Sequence, residues 1–512
     1  MVTLLILDGF GIGKDYEGNA IIHNSENIDS LKNVFPNSTL IASGEEVGLC
    51  AGQMGNSETG HLNIGLGRVV YQDLSRINND IKNDVLKNNE TVVDAINFSK
   101  KHSSKVHLFG LLSDGGVHSH ISHLKYLIKT FCESGCSVVL HIILDGRDTL
   151  FNSGISFVRD IENYIKNNKF DVEIADLVGR IYAMDREKRF DRVKLAYDLY
   201  VGNDNFSIKY TKNLFDALKD SYENEIYDEF VLPIKKMKTS VVNDNDVLFF
   251  YNFRTDRMRE IVSVFGDKNF NQFETKKFKN IKIVTMTEYS KEFNFACVVE
   301  RPEKYKNSLS EILAKNNLNQ FRVTETTKYA HITFFFNGGV EKAYRGENRF
   351  LIDSINTKDF SKYPKMRAKE ITEKACEAIN SKKYDFILIN LSNPDMIGHT
   401  GDLNATKKAI KFVDECVNKI AKRSLVANGD LIVTADHGNA EVMIDDFGNK
   451  VTSHTSNKVP IILVSDKYKN CKLKDGILAD VAPTILKLLN IKQPKEMTGQ
   501  NLLVEQLWEK KF

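Results

Sequence analysis

The sequence predicts an α/β protein with two parallel sheets, each covered by helices on both faces. Three observations lead there. Ten short runs are apolar at nearly every position, as strands buried on both faces must be. Helix-length segments with an apolar stripe separate many of them. Polar, chemically capable motifs follow several strands directly, where open parallel sheets bind their ligands.

In chain order the predicted strands are 2–8 (VTLLILD), 105–112, 137–145 and 172–179. They continue at 246–253, 281–287, 331–337 (HITFFFN), 385–392, 430–436 and 460–466. Predicted helices cover 119–134, 153–168, 188–201, 366–381, 403–423 and 477–490. Ten strands in 512 residues exceed one ordinary core, and the soft prior of roughly 100–200 residues per domain allows two to four domains. No internal repeat stands out, and with only eight prolines no Pro-rich linker marks a boundary.

Composition narrows the function. The 70 basic and 68 acidic residues leave a net charge of +2, so no positive field supports nucleic-acid binding. Any anionic ligand must meet a local basic cluster. Seven cysteines, an odd number without paired CxxC spacing, read as reduced thiols and imply a cytoplasmic location. The apolar N-terminus lacks a basic leader and reads as a strand, and no apolar run approaches 18 residues, so no membrane span is expected.

The chemistry begins at residues 54–61, MGNSETGH. By itself this stretch reads as a surface turn around Ser57. Its alternative reading, a nucleophile on a bend that lets backbone approach a phosphate, depends on the rest of the chain. Asp8, Asp395, His399, Asp436, His437 and His454 all fall at predicted loop positions. Asp395 and His399 are four apart, so one helical turn would place them on one face. Mixed carboxylate and imidazole ligands suit Mn²⁺ or Zn²⁺, and coordination would activate a serine. His61 reads as structural. A second set comprises Arg147, Asp148, Arg180, Arg186, Arg254, Arg257 and Lys328. Guanidinium forks pair bidentately with phosphate and carboxylate, so this set suits a small ligand carrying both. In GGVHSHISH, His118 is the candidate for substrate contact; His120 and His123 begin the next helix and take no role.

The motifs LLILDGFG, MGNSETGHLNIGLGRVVYQDLSRIN, GLLSDGGVHSH, LDGRD, GRIYAMDR, NFRTDR, TTKYAHITFFFNGG, NPDMIGHTG, TADHGNAE and SHTSNKVP together closely resemble the cofactor-independent (2,3-bisphosphoglycerate-independent) phosphoglycerate mutases, nearly end to end. Phe10, Thr327 and Ser453 depart from the family's common Trp, Glu and Ala, and none replaces a ligand. The resemblance implies an alkaline phosphatase-like metal-binding domain, residues 1–71 and 304–512, with an α/β phosphotransferase domain, 72–303, inserted. It implies one Mn²⁺ on Asp395, His399 and His454 and a second on Asp8, Ser57, Asp436 and His437, with Zn²⁺ or Co²⁺ as alternatives. His118, Arg147, Asp148, Arg180, Arg186, Arg254, Arg257 and Lys328 would hold phosphoglycerate. The implied reaction interconverts 3- and 2-phosphoglycerate in glycolysis through phosphoserine at Ser57, without added bisphosphoglycerate; Asp148 would move protons and Lys328 would stabilise transferring oxygens. The rival assignment is a related metal-dependent phosphatase or phosphopentomutase. A monomer is expected, with no nucleic-acid or membrane partner. Chain crossings near 67–74 and 298–305 are expected to act as hinges between the domains.

Overall fold

The computed structural model describes residues 1–299 and 305–504. The chain divides into two compact units, Met1–Gln72 with Pro302–Phe512, and Asp73–Arg301. The second is therefore inserted in the sequence of the first. The expected crossing at 298–305 lies mostly outside the described residues.

The first unit is built on an eight-stranded sheet in the order Glu347–Ile352, Gln320–Glu325, Phe386–Leu391, Val2–Leu7, Asp430–Thr434, Val459–Val464, Asn37–Ile41 and Gly476–Ile477. Val2–Leu7 is central, fully buried, and parallel to both neighbours. Its carboxyl end delivers Asp8 beside the ends of Phe386–Leu391 and Asp430–Thr434, so three adjacent parallel strands aim their following loops at one place. Val459–Val464 runs antiparallel to both neighbours, which corrects the expectation of purely parallel pairing. Helices such as Leu403–Val426 and Ala368–Ser381 pack their apolar stripes into the core.

Four strands of this sheet escape a reading by apolar runs, among them the two-residue Gly476–Ile477. Gln320–Glu325 is wholly buried, yet four of its six side chains are polar. They are tolerated because they find partners: Arg322 donates to Asn337 Oδ1 at 2.8 Å, and Thr324 to the Asn390 carbonyl at 3.2 Å. Glu347–Ile352 and Asn37–Ile41 are partly exposed and equally mixed. Conversely, the predicted strand at 331–337 is a wide helical turn, His331–Phe335. Its β-branched and aromatic residues favour strands, but the buried side chains Ile332, Thr333, Phe336 and Asn337 recur at one and four residues, the pattern of a helical turn and not the alternation of a strand. The segment Ser57–Leu66 is a ten-residue helix, so the surface-turn reading of MGNSETGH does not hold.

The second unit carries its own eight-stranded sheet, ordered Ala296–Val299, Lys282–Thr287, Val247–Phe250, Val106–Leu112, Val138–Leu144, Val172–Gly179, Ile234–Lys236 and Lys209–Thr211. All pairs are parallel except Val172–Gly179 with Ile234–Lys236. Its core is crossed by a buried polar chain: His107 pairs with Asp246 at 3.1 Å and with His141 at 2.8 Å, and His141 with Asp176 at 2.8 Å. Among the described residues no helix is long and apolar enough to cross a membrane.

A Cβ at Gly65 would stand 2.0 Å from the Phe336 carbonyl oxygen. Gly65→Ala must therefore push the Ser57 helix off the His331–Phe335 turn. It is expected to cost about 1–3 kcal/mol, measured as a lower urea midpoint at unchanged slope.

Candidate metal centre and anion cluster

Ser57 occupies the first position of its helix. Asn56 caps that helix, its side chain accepting from the Thr59 N–H at 2.9 Å. The hydroxyl thus sits at the positive end of the helix dipole. It donates to Asp8 Oδ1 at 3.1 Å and lies 2.9 Å from His437 Nε2. Lys328 Nζ donates to three atoms at 2.7 Å: Asp8 Oδ1, Ser57 Oγ and Asp395 Oδ2. Lys328 therefore bonds the nucleophile directly, at the atom beside which the sequence expects it to stabilise transferring oxygens. Close approach is made possible by Gly9, at φ +78°, where a Cβ would fall 2.8 Å from Asp395 Cα.

Asp395 lies in the short helix Asn393–Gly398 with His399 as its C-cap, so the four-residue spacing brings them together as expected. His399 Nε2 is 3.2 Å from Asp395 Oδ1, and His454 Nε2 is 3.1 Å from the same oxygen. The two Nε2 atoms are 3.0 Å apart. Each ring spends its Nδ1–H on a backbone carbonyl, His399 on Thr452 at 2.6 Å and His454 on Gly55 at 2.9 Å. In neutral imidazoles this leaves two nitrogen lone pairs and a carboxylate converging on one point. That arrangement repels itself unless a proton or a cation fills it, and it is how metal-ligating histidines are held.

Electrostatics give the same answer. Asp8, Asp395 and Asp436 are buried carboxylates, and Lys328 is the only lysine or arginine ion-paired with any of them among the described residues. Burial, the largest single influence, would raise the pKa of Asp8 and of Asp395, but the Lys328 ammonium together with hydrogen bonds and charge from His437, and for Asp395 also from His399 and His454, outweighs it and holds both well below the carboxylate range. Burial would likewise lower His437, yet Asp436, then Asp8 and Asp395, push it up to about 10. His399 is raised by its bond to Asp395. Without metal the cluster thus draws protons onto its histidines. Asp436 Oδ2 has no hydrogen-bond partner among the described residues. Compact groupings with metal-ligand spacing are Asp395, His437 and His454, and Asp8, His61 and Asp436. His437 stands between the carboxylates, 3.4 Å from Asp8 and 3.8 Å from Asp395. His61 is already committed: Nδ1 donates to the Ser57 carbonyl at 2.8 Å and Nε2 accepts from Asn390 at 3.0 Å. Its structural reading fits this bonding. The donor set therefore fits divalent metal.

In the second unit the predicted residues gather at strand ends. Arg180, nearly fully buried, donates to Asp145 at 2.5 Å and Asp148 at 2.6 Å. His118 lies 3.8 Å from Asp148 and 3.9 Å from Asp256. Burial, then Arg180, lowers its pKa to about 4, so it is neutral at pH 7. Asp256 pairs with Arg186 at 2.8 Å and with Arg254 at 3.1 Å. Burial and then the charges of Arg186, Arg180 and Arg147 lower the pKa of Arg257, which places four guanidinium groups within one field. Arg147 is half exposed and 3.6 Å from Glu229. His120 caps the helix Ile121–Glu133, and the buried His123 is hydrogen-bonded to Asn78 at 2.7 Å. Sequence reasoning missed Asp145 and Asp256, which pre-orient the arginines, and Asn390, which donates to Asp8 Oδ2 at 2.8 Å. The two carboxylates lie inside the quoted motifs LDGRD and NFRTDR and were legible there as arginine partners; Asn390, inside a strand, carries no such signal.

A buried Asp–His–Lys cluster at the strand ends of an α/β sheet defines the class, a metal-dependent enzyme, and residues 1–493 match the Metalloenzyme superfamily. The chain is 47% identical to the 2,3-bisphosphoglycerate-independent phosphoglycerate mutase of Clostridium tetani (strain Massachusetts / E88), covering 98% of each chain. It is 46% identical to that of Acetivibrio thermocellus, covering 99% of each. The solved structure of Leishmania mexicana phosphoglycerate mutase at low cobalt concentration is 29% identical, covers 98% of this chain and 97% of that chain, and superposes with a TM-score of 0.59. The chain belongs to the family of 2,3-bisphosphoglycerate-independent phosphoglycerate mutases.

Lys328→Met leaves Asp8 and Asp395 without their shared cation. Removing one partner of a buried ion pair costs about 3–5 kcal/mol. That loss is expected in urea unfolding of chelator-treated protein, and a smaller one once Mn²⁺ is added.

Proposed function

We propose that this protein interconverts 3-phosphoglycerate and 2-phosphoglycerate by passing the phosphoryl group through Ser57. The observation that carries the reading is the Ser57 hydroxyl, fixed at a helix N-terminus between Asp8, His437 and Lys328. It rests in a pocket whose three carboxylates outnumber its one ammonium. Asp395, His399 and His454 would hold one divalent ion, and Asp8, Ser57, Asp436 and His437 a second, with Mn²⁺ the ion we favour. When bound, these ions would lower the pKa of the serine hydroxyl and neutralise phosphate charge. Three carboxylates against one ammonium give −2, and two divalent ions turn this to +2, which matches a phosphoryl dianion.

The chain's own residues do the remaining work. With its pKa lowered, the Ser57 hydroxyl would release its proton to solvent as the ions bind, leaving Oγ free to attack phosphorus. The Oγ–P bond forms as the bond from phosphorus to the O3 oxygen breaks, and that oxygen takes a proton from Asp148. Lys328 Nζ, 2.7 Å from Oγ, offsets negative charge on the transferring oxygens. The backbone N–H groups at the start of the Ser57 helix favour the anion that results. The glycerate then turns, Asp148 takes the proton of its 2-hydroxyl, and the bond from that oxygen to phosphorus forms as the Oγ–P bond breaks, returning Ser57 to its starting state. Arg147, Arg180, Arg186, Arg254, Arg257 and neutral His118 hold the carboxylate and phosphate. Water must be kept from phosphoserine throughout, or the mutase becomes a phosphatase.

Ser57→Ala is expected to keep the circular dichroism of the wild type and to lose essentially all turnover in a coupled assay for 2-phosphoglycerate. Substantial residual turnover removes Ser57 from the mechanism. Exhaustive chelation is expected to abolish activity, and Mn²⁺ without bisphosphoglycerate to restore it; full activity in protein shown by elemental analysis to be metal-free refutes the metal requirement.

A further inference from the structure

Glu441 is a fully buried carboxylate that no step above uses. It lies five residues beyond Asp436, and its side chain touches neither Ser57 nor Lys328 through any described hydrogen bond. Its four acceptor bonds are divided in a particular way. Oε2 accepts from the Gly11 N–H at 3.0 Å and from the Asn439 N–H at 2.8 Å. Oε1 accepts from the Thr455 hydroxyl and from Asn457 Nδ2 at 3.1 Å. Gly11 follows Asp8 by three residues, Asn439 follows Asp436 and His437, and Thr455 and Asn457 follow His454. One oxygen therefore holds the two loops that carry Asp8, Asp436 and His437. The other holds the loop that carries His454. The fit leaves no slack: a Cβ at Gly11 would stand 2.3 Å from the carboxylate carbon, and one at Gly438 2.2 Å from Oε1.

We infer that Glu441 is a positioning residue that sets the separation of the two metal sites, each carboxylate oxygen fixing the loops of a different ion. The inference rests on the two-ion reading above. Charge-assisted bonds are shorter and roughly twice as strong as neutral ones, so an ionised Glu441 locks the three loops where a neutral group would not. Outer partners of this kind control metal affinity without touching the metal.

The asymmetry gives the test. In Glu441→Gln only one terminal atom accepts. The Gly11 and Asn439 N–H groups can only donate, so the amide oxygen must turn to them. The amide nitrogen then faces Thr455 and Asn457, which have to reverse their bonds, and the His454 loop moves. Thr455→Val disturbs the same loop from the other side and preserves volume. Mn²⁺ titration of metal-free wild type by calorimetry should resolve two ions. In both variants the ion on Asp395, His399 and His454 should weaken about 10–100-fold, while the ion on Asp8, Ser57, Asp436 and His437 keeps its affinity within twofold. Excess Mn²⁺ should restore kcat. Two ions in the variants with both affinities unchanged overturn the inference, as does an equal loss at both sites or a lower unfolding temperature of metal-free protein with unaltered binding. A wild type that binds fewer than two ions refutes the two-ion reading, and this inference with it.

Discussion

Three carboxylates buried within a few ångströms of one another are the constraint around which the first unit is organised. Isolated charges of this kind cost many kcal/mol to bury unless paired. Asp8 and Asp395 are held ionised by Lys328 and by neighbouring histidines, and His437 is raised in turn by Asp436, Asp8 and Asp395. Without metal the pocket meets its negative charge with Lys328 and by drawing protons onto its histidines. Divalent cations would displace those protons and supply the positive charge in their place.

The fold supplies the proximity that makes the constraint bite. Three parallel strands, Phe386–Leu391, Val2–Leu7 and Asp430–Thr434, lie side by side and end level, so Asp395, Asp8 and Asp436 follow from one edge of the sheet. Small residues let the loops close over one another, Gly9 against Asp395 most directly. The Ser57 helix then presents its N-terminus to the same point. The second unit uses the same rule for a different purpose. Its strand ends carry guanidinium groups braced by Asp145, Asp148 and Asp256, so the arginines are held in place before any ligand arrives. Preorganised donors of this kind spend little free energy on reordering when an anion binds.

The serine motif shows how far local reading reaches. Gly, Asn and Ser are turn formers, and nothing within eight residues says otherwise. Yet Asn56 is an N-cap, and the glycines are there because the helix packs against backbone, Gly65 on Phe336 and Gly60 on Asp436. The same override explains HITFFFN, where strand-forming residues make a helical turn whose buried face is Ile332, Thr333, Phe336 and Asn337. It also explains Gln320–Glu325, a buried strand whose polar residues are satisfied by partners distant in sequence.

The sequence by itself determined the α/β class and the succession of most strands and helices, and it singled out the Asp, His and Ser candidates around Ser57 and the arginines of the second unit. These are set by hydrophobic period and by residue types whose chemistry does not depend on neighbours. Only the tertiary structure decided which of them meet. It set Lys328 against Ser57, committed His61 to Ser57 and Asn390, and revealed Asp145, Asp256, Asn390 and Glu441 as the groups that hold the others in place. Such partners are joined by hydrogen bonds across hundreds of residues, as Gly11 is to Glu441. No periodicity or local propensity in a chain records a contact that exists only once its strands have been laid beside one another.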